Sequence, residues 1–371
     1  MESNLMTTQT ELNTKLERIH KLLDQFELDA LLLRQINNFA WATCGAASYI
    51  NTADSVGTAS LLITRTNRVV LTNNIEAPRL MQEEELDKKG WEFRVSPWHD
   101  EKDMIAELTK GMKLGTDISY PDALDLSSEI GWLRSQLTYE EGQRFKMLAM
   151  MCADGMKQAS HAVLPGMTEY EIAGLLSQAV ESKGVQAIVN LIATDERIFS
   201  YRHPLPTSKK LEQYAMLIVC GRKWGLICSV TRLIHFGPLP SDLRRKAEAI
   251  ARIDAEMIAA TRPGNTLGDV FHKAQAAYAS AGFPDEWQLH HQGGSAGYAP
   301  REITATPGST QPILPGQAFA WNPSITGVKS EDTILVGEHR NEILTEMADW
   351  PTIDIQTGDQ IIKRPAILEK Y

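Results

Sequence analysis

The sequence predicts an α/β N-terminal domain followed by an α+β domain with an internal pseudo-two-fold repeat. Two observations support this prediction. Helical and extended hydrophobic patterns alternate up to about residue 135. Further along, a Pro-Gly-x-Thr pattern occurs twice in matched surroundings. We therefore expect one domain over residues 1–135 and a second over residues 136–371.

Composition limits the classes of protein to which the chain can belong. The 371 residues include 43% hydrophobic residues, enough for sizeable cores, and carry a formal net charge of -10. An acidic chain is a poor match for nucleic acid, whose phosphates need a basic surface. No apolar run is long enough to span a membrane, and the first ten residues lack an apolar signal segment. The four cysteines form no CxxC pair. We expect a cytoplasmic protein with neither nucleic-acid nor membrane partners.

The N-terminal region has the hydrophobic spacing of helices and strands in alternation. Apolar residues recur at helical spacing over residues 11–26 and again, more weakly, over 101–110. No glycine-rich phosphate-binding loop occurs among these elements. The strands expected between the helices are 29–33, 60–63, 69–72, 91–95 and 113–117.

The second region begins with a long helical pattern over residues 138–163, for which Thr138 is a candidate N-cap. The repeated pattern PGMT at 165–168 and PGNT at 263–266 places a threonine at the start of a further helix in each half. Each of these helices ends near a glycine, Gly184 or Gly282. Because Pro-Gly-x-Thr is a common helix start, it is the matched context of the two copies that favours a repeat.

Strands follow each helical half. Residues 214–220 and 225–233 predict a hairpin with its turn near 221–224. Residues 319–321 and 333–336 predict two further strands. The expected architecture is a curved antiparallel sheet flanked by pairs of helices.

Six short motifs follow one another between residue 138 and the end of the chain. They are PGMTE at 165–169, HP at 203–204, TR at 231–232, HHQGG at 290–294, LPG at 314–316 and ED at 331–332. Each motif is weak alone, but in their order and spacing they resemble the creatinase, prolidase and methionine aminopeptidase family, which has the pita-bread fold. The N-terminal region resembles the creatinase-type N-terminal domain less specifically.

Metallopeptidases of this family hold two metal ions with two Asp, one His and two Glu. The resemblance places these five positions on Val219, Ser229, His290 or His291, Asn322 and Glu331. Valine has no ligand atom, and neutral serine and asparagine oxygens are weak ligands for a charged metal pair. We therefore expect no stoichiometric transition metal and no cofactor.

Creatinase acts without metal, and its resemblance implies roles for three residues of this chain. His203 occupies the position of the catalytic base, and a neutral imidazole can accept a proton near pH 7. Glu331 occupies the position of one carboxylate that anchors the guanidinium, and Thr231 that of the other. One of the two carboxylates that bind the guanidinium in creatinase is therefore missing, which makes creatine itself a poor candidate substrate.

Further residues are assigned to substrate binding by the same resemblance. Arg301 and Arg232 are expected to bind the anionic part of the substrate, and His290 and Asn322 to polarise or position it. The alternative role for Arg301 is a surface ion pair with Glu302. The alternative role for Asn322 is that of a turn residue before a proline.

His290 and His291 are adjacent, so in an extended segment their side chains point to opposite faces. We therefore expect only one of them to enter the site. Counting back from Arg301 without a gap favours His290, which leaves His291 as a second candidate.

Two functions from different classes follow. The first is a creatinase-like, metal-independent hydrolase or lyase that cleaves an amide or guanidino C–N bond in a small carboxylate-bearing substrate. The second is an Xaa-Pro-peptidase-like pseudoenzyme that binds a peptide or protein without turnover. The resemblance also implies a homodimer.

Overall fold

The computed structural model describes residues 2–100 and 103–371, which form two compact units. The first unit comprises the chain up to Arg134 together with residues 138–141 and 224–226, and the second comprises the rest. Within the described ranges, no helix is long and apolar enough to cross a membrane.

The first unit is built on a six-stranded mixed sheet with strand order β4-β3-β2-β1-β5-β6. Strand β1 is central, antiparallel to β2 and parallel to β5. Its first four residues are fully buried, which explains why its sequence is a continuous apolar run. The elements are α1 Glu2–Gln25, β1 Ala30–Gln35, α2 Ile36–Ala42, β2 Val56–Thr64, β3 Arg68–Asn73, α3 Ala77–Gln82, β4 Glu92–Ser96, α4 Met104–Leu108, β5 Leu114–Thr116, β6 Ala123–Asp125 and α5 Ser127–Ser135.

The five strands expected in this unit are all present. The helix expected over 101–110 corresponds to α4, although residues 101 and 102 lie outside the described residues. The short helices α2, α3 and α5 and strand β6 were not predicted, because elements of this length give too few turns for a periodic signal.

The second unit contains five helices of the α type, one short 3-10 helix and the remaining strands that are described. Thr138 caps its first helix as expected, accepting a hydrogen bond from the backbone N–H of Glu141 at 3.2 Å. The elements are α6 Tyr139–Ala162, α7 Glu169–Glu181, β7 Gln186–Thr194, α8 Glu196–Ser200, β8 Tyr214–Lys223, β9 Leu226–Phe236, α9 Ser241–Ala260, α10 Leu267–Ser280, the 3-10 helix Glu286–Leu289, β10 Gly293–Ala296, β11 Ile303–Thr304, β12 Ala318–Trp321, β13 Ser324–Ile325, β14 Val328–Lys329, β15 Asp332–Leu335, β16 Glu342–Ile343, β17 Thr352–Thr357, β18 Gln360–Pro365 and β19 Leu368–Lys370.

The pseudo-two-fold repeat is confirmed by equivalent contacts in the two halves. Thr168 and Thr266 each form a capping box with the acidic residue three positions on, at the start of α7 and α10. The backbone around each cap is tied to a downstream segment in the same way. The equivalent bonds are Leu211 N–H to Met167 O (2.8 Å) and Ile313 N–H to Asn265 O (2.9 Å), and the equivalent bridges are Thr168 with Lys210 and Thr266 with Pro312.

Each half contributes a sheet. The first has strand order β19-β9-β8-β7, and the second β11-β10-β12-β15-β16. The β8–β9 hairpin was predicted, but its turn lies at Trp224 and Gly225 rather than at 221–224. Both residues have positive φ, 52° and 76°, which is the requirement of a two-residue hairpin loop. An isolated bridge between Thr231 and Glu331 joins β9 to the segment ahead of β15.

A buried ion-pair network involves Arg232 and Asp332, the residues that follow the two members of this bridge. Asp332 accepts from Arg232 at 2.8 Å and from Arg364 at 2.6 Å, and Arg364 also pairs with Asp254 of α9 at 2.7 Å. All four side chains are at most 2% exposed. Removing one partner from such a network leaves an uncompensated buried charge, at a cost of about 3–5 kcal/mol. The network therefore holds β15 against β9, α9 and β18.

Candidate active site

Three histidine rings converge at one point of the second unit. His203 lies in the loop between α8 and β8, and His290 and His291 lie between the 3-10 helix and β10. The ring centroid of His203 is 4.9 Å from that of His290 and 5.6 Å from that of His291. The Nε2 atoms of His203 and His290 are 3.1 Å apart, within hydrogen-bond distance.

The expectation that only one of the adjacent histidines enters the site was wrong. The rings of His290 and His291 are 4.6 Å apart, and both face His203. The alternation of faces holds inside a regular strand. These two residues instead occupy the connection between a 3-10 helix and the start of β10 at Gly293, where no ladder fixes alternate directions.

The second ring nitrogen of His290 also has a polar contact. This atom, Nδ1, is 3.3 Å from the hydroxyl oxygen of Ser324. One nitrogen of a neutral imidazole donates and the other accepts, so a hydrogen bond between the two Nε2 atoms requires that one of them carries the proton and the other does not. The Ser324 hydroxyl can donate or accept and is compatible with either arrangement. His290 and Ser324 also line a small cavity of about 10 Å³, the room of about one water molecule.

All three imidazoles are held in the neutral form near pH 7. Burial, followed by the charge of Lys329, lowers the pKa of His290 to about 2. Partial burial and the Arg301 guanidinium lower the pKa of His291 to about 4. Desolvation and the Lys329 ammonium also lower the pKa of His203, against the opposite effect of the Glu331 carboxylate.

A second cluster is centred on Glu331, whose carboxylate is almost completely buried. Arg301 donates to Oε1 at 2.9 Å, Lys329 contacts Oε2 at 2.9 Å, and the hydroxyl of Thr231 donates to Oε2 at 2.5 Å. Arg301 also donates to the hydroxyl oxygen of Ser229 at 3.3 Å. The arginine therefore belongs to this cluster through an ion pair with Glu331.

The charges of this cluster do not cancel. Burial alone would raise the pKa of Glu331, but the Lys329 and Arg301 cations and the Thr231 hydroxyl outweigh it and lower the pKa to about 2. Glu331 is thus ionised at neutral pH, and two cations face one anion. The surplus positive charge makes the cluster attractive to an anionic group.

Arg232 lies elsewhere than the sequence suggested, and Asn322 lies beside the histidine pair, with its backbone N–H donating to Gln292 O at 3.0 Å. Arg232 is 2% exposed, and its guanidinium is directed to the Asp332 carboxylate and not to the carboxylate of Glu331. It acts as part of the buried network behind β15. Asn322 is also 2% exposed, and its Oδ1 has no hydrogen-bond partner among the described residues. A Cβ on Gly293, which has φ of 107°, would lie 2.9 Å from that oxygen, so only glycine fits there.

Sequence reasoning left two parts of the site undetermined. The source of positive charge beside Glu331 was one of them, and the structure places Lys329 and Arg301 there. Ser324 was not anticipated as a partner of His290. A serine that directly follows an asparagine–proline pair carries no signal of that role in one sequence.

The paired helix-and-sheet halves and the histidine and carboxylate clusters carried on their strands and loops define a protein of the pita-bread class. The model for metallopeptidase family M24 matches residues 143–338 of this chain. The chain belongs to this family.

Relatives and solved structures of other proteins agree with this placement. An uncharacterized peptidase of Staphylococcus epidermidis is 25% identical over 237 residues, 60% of this chain and 66% of its own length. The agropine synthesis cyclase of Rhizobium rhizogenes is 25% identical over 214 residues, 50% of this chain and 52% of its own. The chain thus matches just under two thirds of the first relative and about half of the second.

Two structures show the same fold over nearly the whole chain. The prolidase from Pyrococcus horikoshii superposes with a TM-score of 0.77 at 18% identity, covering 90% of this chain and 98% of its own. The Xaa-Pro dipeptidase from Bacillus anthracis gives 0.77 at 19% identity, covering 91% and 98%.

The residues at the family's metal positions do not fit a dinuclear centre. Val219 is a fully buried hydrocarbon side chain, and the Ser229 hydroxyl accepts a hydrogen bond from Arg301. The carboxylate of Glu331 is held by the cations of Lys329 and Arg301. Positively charged side chains therefore surround the one carboxylate that could ligate a metal pair.

Proposed function

We propose that the protein is a metal-independent, creatinase-like hydrolase or lyase that cleaves a C–N bond in a small substrate bearing a carboxylate. His203 is the base, His290 orients it, and Arg301 and Lys329 bind the substrate carboxylate. The observation that carries the proposal is the contact of 3.1 Å between His203 and His290, beside a carboxylate cluster with surplus positive charge.

The proposed base acts through Nδ1 of His203. In the proposed tautomers, Nε2–H of His203 donates to Nε2 of His290, 3.1 Å away, and Nδ1–H of His290 donates to the hydroxyl of Ser324, 3.3 Å away. This arrangement leaves the lone pair on Nδ1 of His203 to accept a proton. His203 is exposed, so the ring can exchange that proton with solvent. When it is protonated, its Nε2–H bond to His290 remains in place.

In the hydrolytic version, Nδ1 of His203 removes a proton from water as the oxygen attacks the carbonyl or guanidino carbon. The C–N bond then breaks, and the proton passes from Nδ1 to the leaving nitrogen. In the eliminating version, the same nitrogen takes a proton from the carbon adjacent to the C–N carbon. The C–H electron pair forms a C=C double bond as the C–N bond breaks, and the proton then passes from Nδ1 to the leaving nitrogen. Because Glu331 is already neutralised by two cations, an amide suits the site better than a free guanidinium does.

The surplus charge of the cluster supports a carboxylate-bearing substrate. A substrate carboxylate placed against Arg301 and Lys329 would restore neutrality around Glu331. A relative named agropine synthesis cyclase supports chemistry outside peptide hydrolysis, whereas the relatives named as peptidases support amide substrates.

The test is turnover of a substrate panel, with and without chelator. The panel contains N-acyl amino acids, Xaa-Pro and other dipeptides, and guanidino acids. We expect turnover of an amide substrate that survives chelator treatment. Activity that chelator abolishes and added metal restores would contradict the proposal. Tight peptide binding without any turnover would support the pseudoenzyme instead.

The role of His203 is tested on the substrate so found. His203→Ala should lower kcat by about a hundredfold or more, with a smaller change in KM, because a positioned base contributes that much. His272→Ala, on the exposed face of α10, is the matched control and should behave as the wild type does. Near-normal turnover by folded His203→Ala protein would move the role of base to His290.

A further inference from the structure

The three histidines form a cluster that the proposed reaction uses only in part. One ring nitrogen of each of His203, His290 and His291 lies within 4.8 Å of those of the other two. In a tetrahedral site with metal–nitrogen bonds of about 2.0–2.1 Å, neighbouring ligand nitrogens are about 3.4 Å apart. The contact of 3.1 Å between His203 and His290 is already near that value. The ligand nitrogen of His291, an exposed residue, lies within 4.8 Å of the other two and must approach them to complete the set.

The surroundings of the cluster also suit a ligand set. Nδ1 of His290 contacts the Ser324 hydroxyl, the kind of outer partner that orients a metal-binding imidazole. His203 and His291 are exposed, so an ion can reach them from solvent. Glu331, whose charge acts on all three rings, partly offsets the positive charges of Lys329 and Arg301.

We propose that His203, His290 and His291 bind a single divalent transition-metal ion that prefers imidazole, such as Zn²⁺. This proposal replaces the expectation from the sequence that no transition metal binds stoichiometrically, and its ligand set shares only a histidine with the family's carboxylate-rich metal pair. Three imidazoles with an open fourth position favour Zn²⁺, Co²⁺ or Cu²⁺ over Mg²⁺, which requires oxygen ligands.

The consequence for activity rests on the proposed function. A metal bound at Nε2 of His203 needs the lone pair of that atom, so the ring proton must move to Nδ1. Nδ1 is the atom that the proposed base uses to accept a proton. The ion also replaces the hydrogen bond between His203 and His290. Zn²⁺ is therefore an inhibitor of the reaction.

Binding is measured without substrate, by calorimetric titration of ZnCl₂ into tag-free protein and by the visible absorption of Co²⁺. The wild type should bind one equivalent per chain with micromolar affinity, and Co²⁺ should give the intense bands of a tetrahedral site. His203→Ala and His291→Ala replace exposed residues and should each weaken binding by roughly tenfold or more. His272→Ala should leave binding unchanged, and MgCl₂ should give no binding heat.

The proposal is overturned if the wild type binds no Zn²⁺ at millimolar concentration. It is also overturned if His291→Ala binds as tightly as the wild type, because the ion then lies elsewhere. Inhibition is measured separately, and its midpoint should match the calorimetric Kd. Zn²⁺ binding in a protein without turnover would refute the proposed function while leaving the metal site intact.

Discussion

Replacing Glu331 by glutamine tests the charge balance of the site. The substitution keeps the size of the side chain and an oxygen for the Thr231 hydroxyl. It removes the negative charge that Arg301 and Lys329 share, and both of these side chains are at most 10% exposed. We predict that Glu331→Gln destabilises the protein, because two nearly buried cations lose their counter-ion.

The size of the effect follows from two independent considerations. The pKa of Glu331 is lowered from 4.5 to about 2 in the folded protein. At about 1.4 kcal/mol for each pH unit, this difference corresponds to about 3–4 kcal/mol. Breaking a buried ion pair by removing one partner costs about 3–5 kcal/mol in other proteins. A loss of about 3 kcal/mol lowers Tm by about 6–12 °C for a unit of this size.

The assay is thermal unfolding followed by circular dichroism at several pH values. The lowered pKa means that the contribution of Glu331 is fully present above the unfolded value near 4.5 and is lost as pH falls toward about 2. The wild type should therefore exceed Glu331→Gln in Tm at neutral pH, and the difference should shrink in acid. Glu248→Gln, an exposed change on α9, is the control.

A variant that melts within about 2 °C of the wild type at pH 7 would refute this reasoning. So would a difference that grows as the pH falls. Either result would mean that solvent or local rearrangement compensates the cations of Arg301 and Lys329 without Glu331.

Three further predictions follow from the site and the family. Arg301→Ala should raise KM for the substrate by about tenfold, with less change in kcat, because the guanidinium binds the substrate carboxylate; steady-state kinetics that show only a fall in kcat would contradict this. Manganese should neither bind at two equivalents per chain nor raise Tm, because Val219, Ser229 and Asn322 stand at three of the metal positions; elemental analysis of tag-free protein checks this. Light scattering should give twice the mass of one chain, and a monomeric mass across micromolar concentrations would count against the homodimer.

Much of the fold was predictable because its signals are local. The cap residues Thr138, Thr168 and Thr266 fix helix starts through bonds to residues only three positions away. The continuous apolar runs of β1 and β8 follow from burial on both faces. By contrast, the mixed polar and exposed residues of β17 and β18 gave no clear pattern.

The site was predictable as a set of positions and not as a set of contacts. The order of the motifs singled out His203, His290, Arg301 and Glu331, and the structure brings these residues into two neighbouring clusters. The partner of each side chain depends on long-range packing. Glu331 and Asp332 are consecutive, and consecutive residues of an extended segment point to opposite faces. Arg232 therefore pairs with Asp332, and Lys329 reaches the Glu331 carboxylate.

The buried network of Asp332, Arg364 and Asp254 has an evolutionary consequence. It ties Asp332, the first residue of β15, to α9 and β18 through side chains other than those that contact the Glu331 carboxylate. When residues outside the site hold a strand in register, substitutions of the side chains within the site leave the fold intact. A framework secured in this way can carry Val219, Ser229 and Asn322 where the resemblance places the family's metal ligands, and can still present side chains for other chemistry.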